Sequence, residues 1–261
     1  MKLRKLLVSL LAIVMLVGLA ADFSAAQGRG RGQESASIED DPLQQPLPPG
    51  IRVRAFIHRP RVVEHAHLGT CTPDDSNSDL NYGLTGWHLP SDGITWKLNP
   101  STVPSSVGSP AARTAITNAF ATWTAADPKQ VFSDCGNTTA KTAKRDRINA
   151  VIWKNIGAGS IAVTYVWYYT ATGLVAEVDM IFNKLYPWRL FSGVDDGCST
   201  QYDAYDLKNI AVHEIGHWVG LDDLYGDGDV DMTMYGFGAG GELKKRSLAP
   251  GDELGANAVL P

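Results

Sequence analysis

"YDLKNIAVHEIGHWVGL", residues 205–221, decides how the rest of this chain is read. It reads as a helix, opened by Asp206, whose carboxylate can accept a first-turn N–H, and closed near Gly220. On a helix, positions i and i+4 share a face, so His213 and His217 can both point an imidazole nitrogen at one ion. Neutral imidazole suits zinc, which takes about four ligands in a tetrahedron, and the helix supplies two of them. Glu214 lies roughly 100° round the helix from His213. It can reach a water at the ion without being a ligand, which is where a general base belongs.

The glycine has a physical task. Gly220 ends the helix in a conformation that a Cβ resists, turning the chain so that a residue three places on can return to the ion. That residue is Asp223, whose carboxylate oxygen is an acceptable zinc ligand at about 2.0–2.2 Å. Its neighbour Asp222 reads as a turn residue that supports the ligand from outside.

Upstream, the pattern is regular. "ITWKLNP" at 94–100 alternates as a strand does, and "SPAARTAITNAFATWTAA" from Ser109 puts Pro110 at the first helical turn with Ile116, Phe120 and Trp123 at helical spacing. "AVIWKNI" at 150–156, "IAVTYVWYYT" at 161–170 and "AEVDMIFN" at 176–183 are β-rich runs parted by Gly-containing turns. Strands first and a site-bearing helix after them predict an α+β domain, one mixed sheet covered by two long helices. Its compact part is expected over 80–261.

The start of the chain has a different character. Lys2, Arg4 and Lys5 precede an apolar run from Leu6 to Ala20 and then small residues through Ala26, the order of a secretory signal peptide over 1–26. The run of about 15 residues is short of the roughly 20 that span a bilayer. Residues 27–79 are expected to be a linker or short pro-segment, because 27–50 are rich in Gly, Gln, Ser and Pro. Alternation at Ile51, Val53, Ala55 and Ile57 hints at a strand that Pro60 ends. Loss of the leader, with Lys2, Arg4, Lys5 and Asp22, takes the formal charge from −5 to −7. A mildly acidic body without a Lys/Arg cluster argues against nucleic acid or an anionic membrane as a partner.

"HEIGHWVGLDD" followed by "MTMYGF" resembles the metzincin metalloproteases, and within them the matrixin branch, through Met234-Tyr235 and the order of the upstream elements. The resemblance covers roughly 80–261. It implies a metzincin-like catalytic domain with a twisted mixed sheet and an active-site helix followed by a methionine turn. His213, His217 and Asp223 would bind catalytic Zn2+, Glu214 would be the base, and Met234, rather than Met232, would form the floor beneath the metal. The implied protein is a secreted, monomeric zinc metalloendopeptidase acting on proteins or peptides, with "AEVDMIFN" as an edge strand that pairs with substrate. Two departures stand out: Asp223 replaces the usual third histidine, and Gly236 replaces the proline after Met-Tyr. The alternative is a non-catalytic zinc-binding or adhesion module on the same scaffold; another is a zinc protease whose third ligand is Glu242.

Other features are weaker. Asp227, Asp229 and Asp231 alternate in "GDGDVD", which keeps a structural Ca2+ site open but not an EF-hand, whose sixth-place glycine and twelfth-place glutamate are missing. His58, His65, His67 and His88 read as surface or structural residues. Cys71, Cys135 and Cys198 allow one disulfide in an exported protein. "CTPDD" at Cys71 is faintly similar to the matrixin cysteine switch.

Overall fold

Strand alternation places one sheet at the centre, and helices close one side of it. A computed structural model describes residues 41–61, 80–192 and 203–260, which all belong to one compact unit. The strands are β1 (Ile51–Pro60), β2 (Ile94–Leu98), β3 (Phe132–Asn137), β4 (Ala150–Lys154), β5 (Ala162–Tyr169), β6 (Val175–Asn183), β7 (Trp188–Arg189), β8 (Tyr205–Asp206) and β9 (Phe237–Gly238). The α-helices are α1 (Ser109–Ala126), α2 (Leu207–Val219) and α3 (Pro250–Ala258). Seven strands form one mixed sheet in the order β3-β2-β4-β6-β5-β1-β9, while β7 and β8 pair separately. Neighbours from β3 to β6 run parallel, β5 is antiparallel to both β6 and β1, and β1 is parallel to β9.

The fold is therefore α+β with a mixed sheet, as the periodicities predict. Strands β4 and β6 are nearly continuous buried runs because both faces of the sheet are covered. On one face Trp96, Trp153 and Phe182 meet Ile116, Phe120 and Trp123 of α1 and Ile215 and Trp218 of α2. On the other, Ile152, Trp167 and Ile181 pack with Ala143 under an irregular segment. That segment brings backbone N–H groups into a dry place, where each needs an acceptor. Two carboxylates of β6 supply it. Asp179 accepts from Lys144 (2.9 Å) and Ala150 (2.7 Å), and Glu177 from Asp146 (2.7 Å) and Arg147 (2.8 Å). Burial raises the pKa of both, against the pull of those hydrogen bonds.

The ends of α2 are fixed as the sequence requires. Asp206 Oδ1 accepts the Asn209 N–H at 2.8 Å, and its carboxylate takes a two-pronged contact from Arg246 at 2.8 and 2.6 Å in a buried setting. Gly220 has φ 121°, and a Cβ there would stand 2.6 Å from the Trp87 carbonyl oxygen. Two indole N–H groups seat the helix. Trp123 donates to Val212 O at 2.7 Å and Trp87 to His217 O at 2.9 Å.

Three expectations are corrected. The compact domain does not begin near Leu80: β1, read within the linker or pro-segment, is paired in the sheet and buries Phe56 and His58. The strand holding "AEVDMIFN", β6, is interior, between β4 and β5, so it is not an edge. A third helix, α3, follows the site helix; Pro250 and the acidic first turn signal its start, but Gly251 and Gly255 hide it. The proposed signal peptide lies outside the described residues.

Asp206→Ala removes both the cap and the partner of a buried guanidinium. It is expected to cost about 3–5 kcal/mol of unfolding free energy in urea titrations. A loss under about 1 kcal/mol would show that Arg246 finds another partner.

Candidate metal centre

Helix α2 places His213 and His217 one turn apart, and neighbouring carbonyl groups fix which ring nitrogen carries the proton. His213 Nδ1 lies 2.7 Å from Thr233 O and His217 Nδ1 lies 2.9 Å from Leu221 O. A carbonyl only accepts, so in both rings Nδ1–H donates and the Nε2 lone pair is left facing inward. Both Nε2 atoms and Asp223 Oδ1 are buried without a hydrogen-bond partner among the protein atoms. They converge: Asp223 Oδ1 is 3.3 Å from His213 Nε2 and 3.6 Å from His217 Nε2. A tetrahedral ion with ligands at about 2.0–2.1 Å would hold its donors about 3.4 Å apart. Both distances to Asp223 Oδ1 match that spacing, and the three donors have the nitrogen–oxygen chemistry of zinc.

Residues beyond the turn aim Asp223. Its Oδ2 accepts from the Tyr225 hydroxyl at 3.1 Å, and its N–H donates to Asp222 Oδ1 at 2.9 Å. The Tyr225 ring also accounts for Gly236, since a Cβ at that position would stand 2.4 Å from Tyr225 Cε1.

Burial sets the charge states. It pushes His213 down to about 4 and lowers His217, so both imidazoles are neutral near pH 7. Burial opposes ionisation of Asp223, but His217, His213 and the Tyr225 hydroxyl outweigh it and hold the group down to about 2. Two neutral imidazoles beside a carboxylate are the donor state a divalent cation needs. Glu214 is fully buried, and burial raises it to about 8 even though the Thr164 hydroxyl donates to its Oε2 at 2.6 Å. A nearby dication would favour its ionised form.

Below the cluster, the turn after α2 is held from α3. Asp252 accepts the N–H groups of Thr233 (2.8 Å), Met234 (3.2 Å) and Ala249 (3.0 Å). Met234 packs directly against α2, its sulfur where a Cβ on Gly216 would stand, whereas Met232 reaches Gly251 instead. Of the two methionines, Met234 lies under the site helix.

Four residues of the site went unread in the sequence. His58 is fully buried, its ring centroid 3.8 Å from that of His213 and its Nδ1 3.5 Å from Glu214 Oε1, so of the two readings, surface or structural, the surface one is corrected. Phe56 stacks on His217 with centroids 3.9 Å apart. Thr164 holds Glu214. Lys245, in the short 3-10 turn Lys244–Arg246, is fully buried; its ammonium donates to Tyr235 O (2.5 Å) and Phe237 O (2.8 Å) and lies 3.2 Å from His58 Nε2. Burial lowers Lys245 to about 8. The strand pattern carried a signal for Phe56 and His58, because they share the face opposite to the alternating set Ile51, Val53, Ala55 and Ile57.

Among the described residues, two groups of His, Asp and Glu are close enough to hold an ion: His213, His217 and Asp223, and His58, His213 and Glu214. Glu242 is in neither; it accepts the Ala239 N–H at 2.9 Å. Asp229 accepts from Asn81 (2.9 Å) and Gly226 (2.7 Å), and Asp231 pairs with Lys244 at 2.5 Å. The His88 ring hydrogen-bonds Leu89 O at 3.0 Å, a structural contact. Cys135 is exposed and unpaired on β3, while Cys71, Cys198, His65 and His67 lie outside the described residues.

Comparison with protein-family models finds no match to this chain, and comparison with curated proteins finds none either.

In the metal-free chain the raised pKa of Glu214 has a measurable consequence. The folded state holds its proton between about 4.5, the unfolded value, and about 8, so stability from this group is present below 4.5 and lost as pH rises through 8. Glu214→Gln removes that slope. The variant's stability gain over wild type should be larger at pH 9 than at pH 5 in denaturant unfolding, and equal gains at both would contradict the burial effect.

Proposed function

We propose that this chain is a secreted zinc metalloendopeptidase of metzincin type, matrixin-like, with Asp223 as the third protein ligand. The observation that carries the reading is the convergence of His213 Nε2, His217 Nε2 and Asp223 Oδ1, buried and without protein partners, beside the carboxylate of Glu214. The resemblance of "HEIGHWVGLDD" and "MTMYGF" supports the same reading, with Gly220 ending the site helix and Met234 packed against Gly216.

Each residue has a task. His213, His217 and Asp223 would hold the ion. Zinc, when bound, supplies Lewis acidity toward a peptide carbonyl and makes water acidic near neutral pH. Glu214 keeps Oε2 fixed by Thr164 and leaves Oε1 without a partner, so Oε1 takes the proton from the attacking water and delivers it to the leaving amine. The carboxylate ends the cycle as it began, and no covalent intermediate is formed. Met234 and Asp252 keep the turn rigid under the ligands. Substrates are proteins or peptides met outside the cytoplasm, after removal of the leader at 1–26. No helix of the described residues is long and apolar enough to cross a membrane.

A non-catalytic zinc-binding module would need the three ligands but not a buried carboxylate oriented by a hydroxyl. The two readings separate on one substitution. In casein zymography of secreted chains, Glu214→Ala should clear about 10²–10⁴-fold less substrate than wild type while retaining about one zinc per chain. Equal clearing by the variant would overturn the assignment of the base.

A further inference from the structure

Strand β1 is in an unusual place for the first strand of a sheet. It lies between β5 and β9, both of which come later in the chain, and uses both of its edges. On one side it runs antiparallel to β5, from Ile51 opposite Tyr169 to His58 opposite Ala162. On the other it runs parallel to β9, with Arg59 opposite Phe237 and Pro60 opposite Gly238. The Arg59 N–H donates to Gly236 O at 3.1 Å and the Arg61 N–H to Gly238 O at 2.7 Å.

Its inward side chains cover the candidate centre. Arg54 pairs with Asp222 at 2.7 Å, Phe56 stacks on His217, and His58 stands between His213, Glu214 and Lys245. With β1 among the elements that enclose them, His213, Glu214 and His217 have 0% exposure, and no substrate reaches them in this arrangement. The His58 ring fills the space beside Glu214 Oε1 where an attacking water has to stand. A strand can therefore lie across the site without being cut.

The core between sheet and helices takes Phe56 from β1, and the core on the other face takes Ile51 with Val53 packed against it; taking β1 away leaves the order β3-β2-β4-β6-β5 unbroken. What would remain is a channel with an unpaired edge of β5 on one side and β9 on the other. Only an extended backbone satisfies both rows of polar groups. The side-chain positions are defined as well. An aromatic ring fits over His217, and two residues on, the Lys245 ammonium faces a side chain that accepts a hydrogen bond. That second cavity is shallow at Gly238, where a Cβ would be 2.7 Å from His58 Nε2.

Resting on the hydrolase reading above, we propose that the channel between β5 and β9 is the substrate site for extended peptides with an aromatic residue two places before a hydrogen-bond acceptor, and that Ile51–Pro60 is its built-in occupant. Displacement of β1 then precedes hydrolysis. The side chains that hold this strand against the site are Arg54, Phe56 and His58, and none of them is a cysteine.

A specific protease site inserted directly after Arg61 in the full zinc-loaded chain tests this. After cutting and removal of the fragment that ends at Arg61, the remaining chain should keep a cooperative thermal transition and hydrolyse a quenched peptide library at least about tenfold faster than the uncut chain. A labelled synthetic peptide of residues 51–61 should rebind one to one, followed by fluorescence anisotropy on the cut chain carrying Glu214→Ala, so that the readout needs no catalysis. The same peptide with Phe56→Ala and His58→Ala should bind at least about tenfold more weakly. Unfolding on loss of the fragment, failure of the peptide to rebind, or hydrolysis that is equally fast before and after release would overturn the proposal. Rebinding without hydrolysis at any stage supports the channel and overturns the hydrolase reading instead.

Discussion

Two imidazole nitrogens and a carboxylate oxygen meet out of water with their lone pairs turned toward one another. An arrangement of acceptors without donors costs free energy at each buried atom, on the order of 1–3 kcal/mol per group. A chain keeps it only where something positive repays that cost. The proposed zinc does so, and much of the surrounding structure can be understood as holding the three atoms in place. The indole of Trp123 ties the turn of α2 that bears His213, and Asp206 and Arg246 anchor its start. Carbonyl oxygens of Thr233 and Leu221 choose the tautomers, and Asp252 fixes the turn that carries Thr233.

The same cup links Asp223 and Gly236. Asp223 has a shorter side chain than histidine, and the hydroxyl of Tyr225 steadies it from the outside. The ring that does this stands where a side chain at 236 would project, so the aspartate and the glycine belong to one local solution. An anionic third ligand also reduces the effective charge of a bound cation and so its power to acidify water.

Local periodicity made much of this legible. The helix over 109–126 matches α1 end to end, and the ligand spacing in "HEIGHWVGLDD" is a matter of helix geometry that no tertiary contact needs to supply. Partners distant in sequence were not legible. Nothing near Lys245 in the sequence marks it as buried, since its partners are the carbonyls of Tyr235 and Phe237 and the ring of His58. Strand β1 was seen as an alternation but placed outside the domain, because its partners, β5 and β9, are about 100 residues or more away along the chain and sequence alone does not give sheet order. The apolar residues of the alternation pointed attention to the wrong face: the polar one, with Arg54 and His58, covers the site.

The central claim is that the cup binds one zinc through two imidazoles and one carboxylate. X-ray absorption at the zinc edge of the purified, zinc-loaded chain addresses it directly. The account predicts one zinc per chain with two imidazole nitrogens and at least one oxygen at about 2.0–2.2 Å, and loss of an oxygen scatterer in Asp223→Ala. A chain that folds but retains no zinc, or a zinc shell without imidazole scattering, would contradict it.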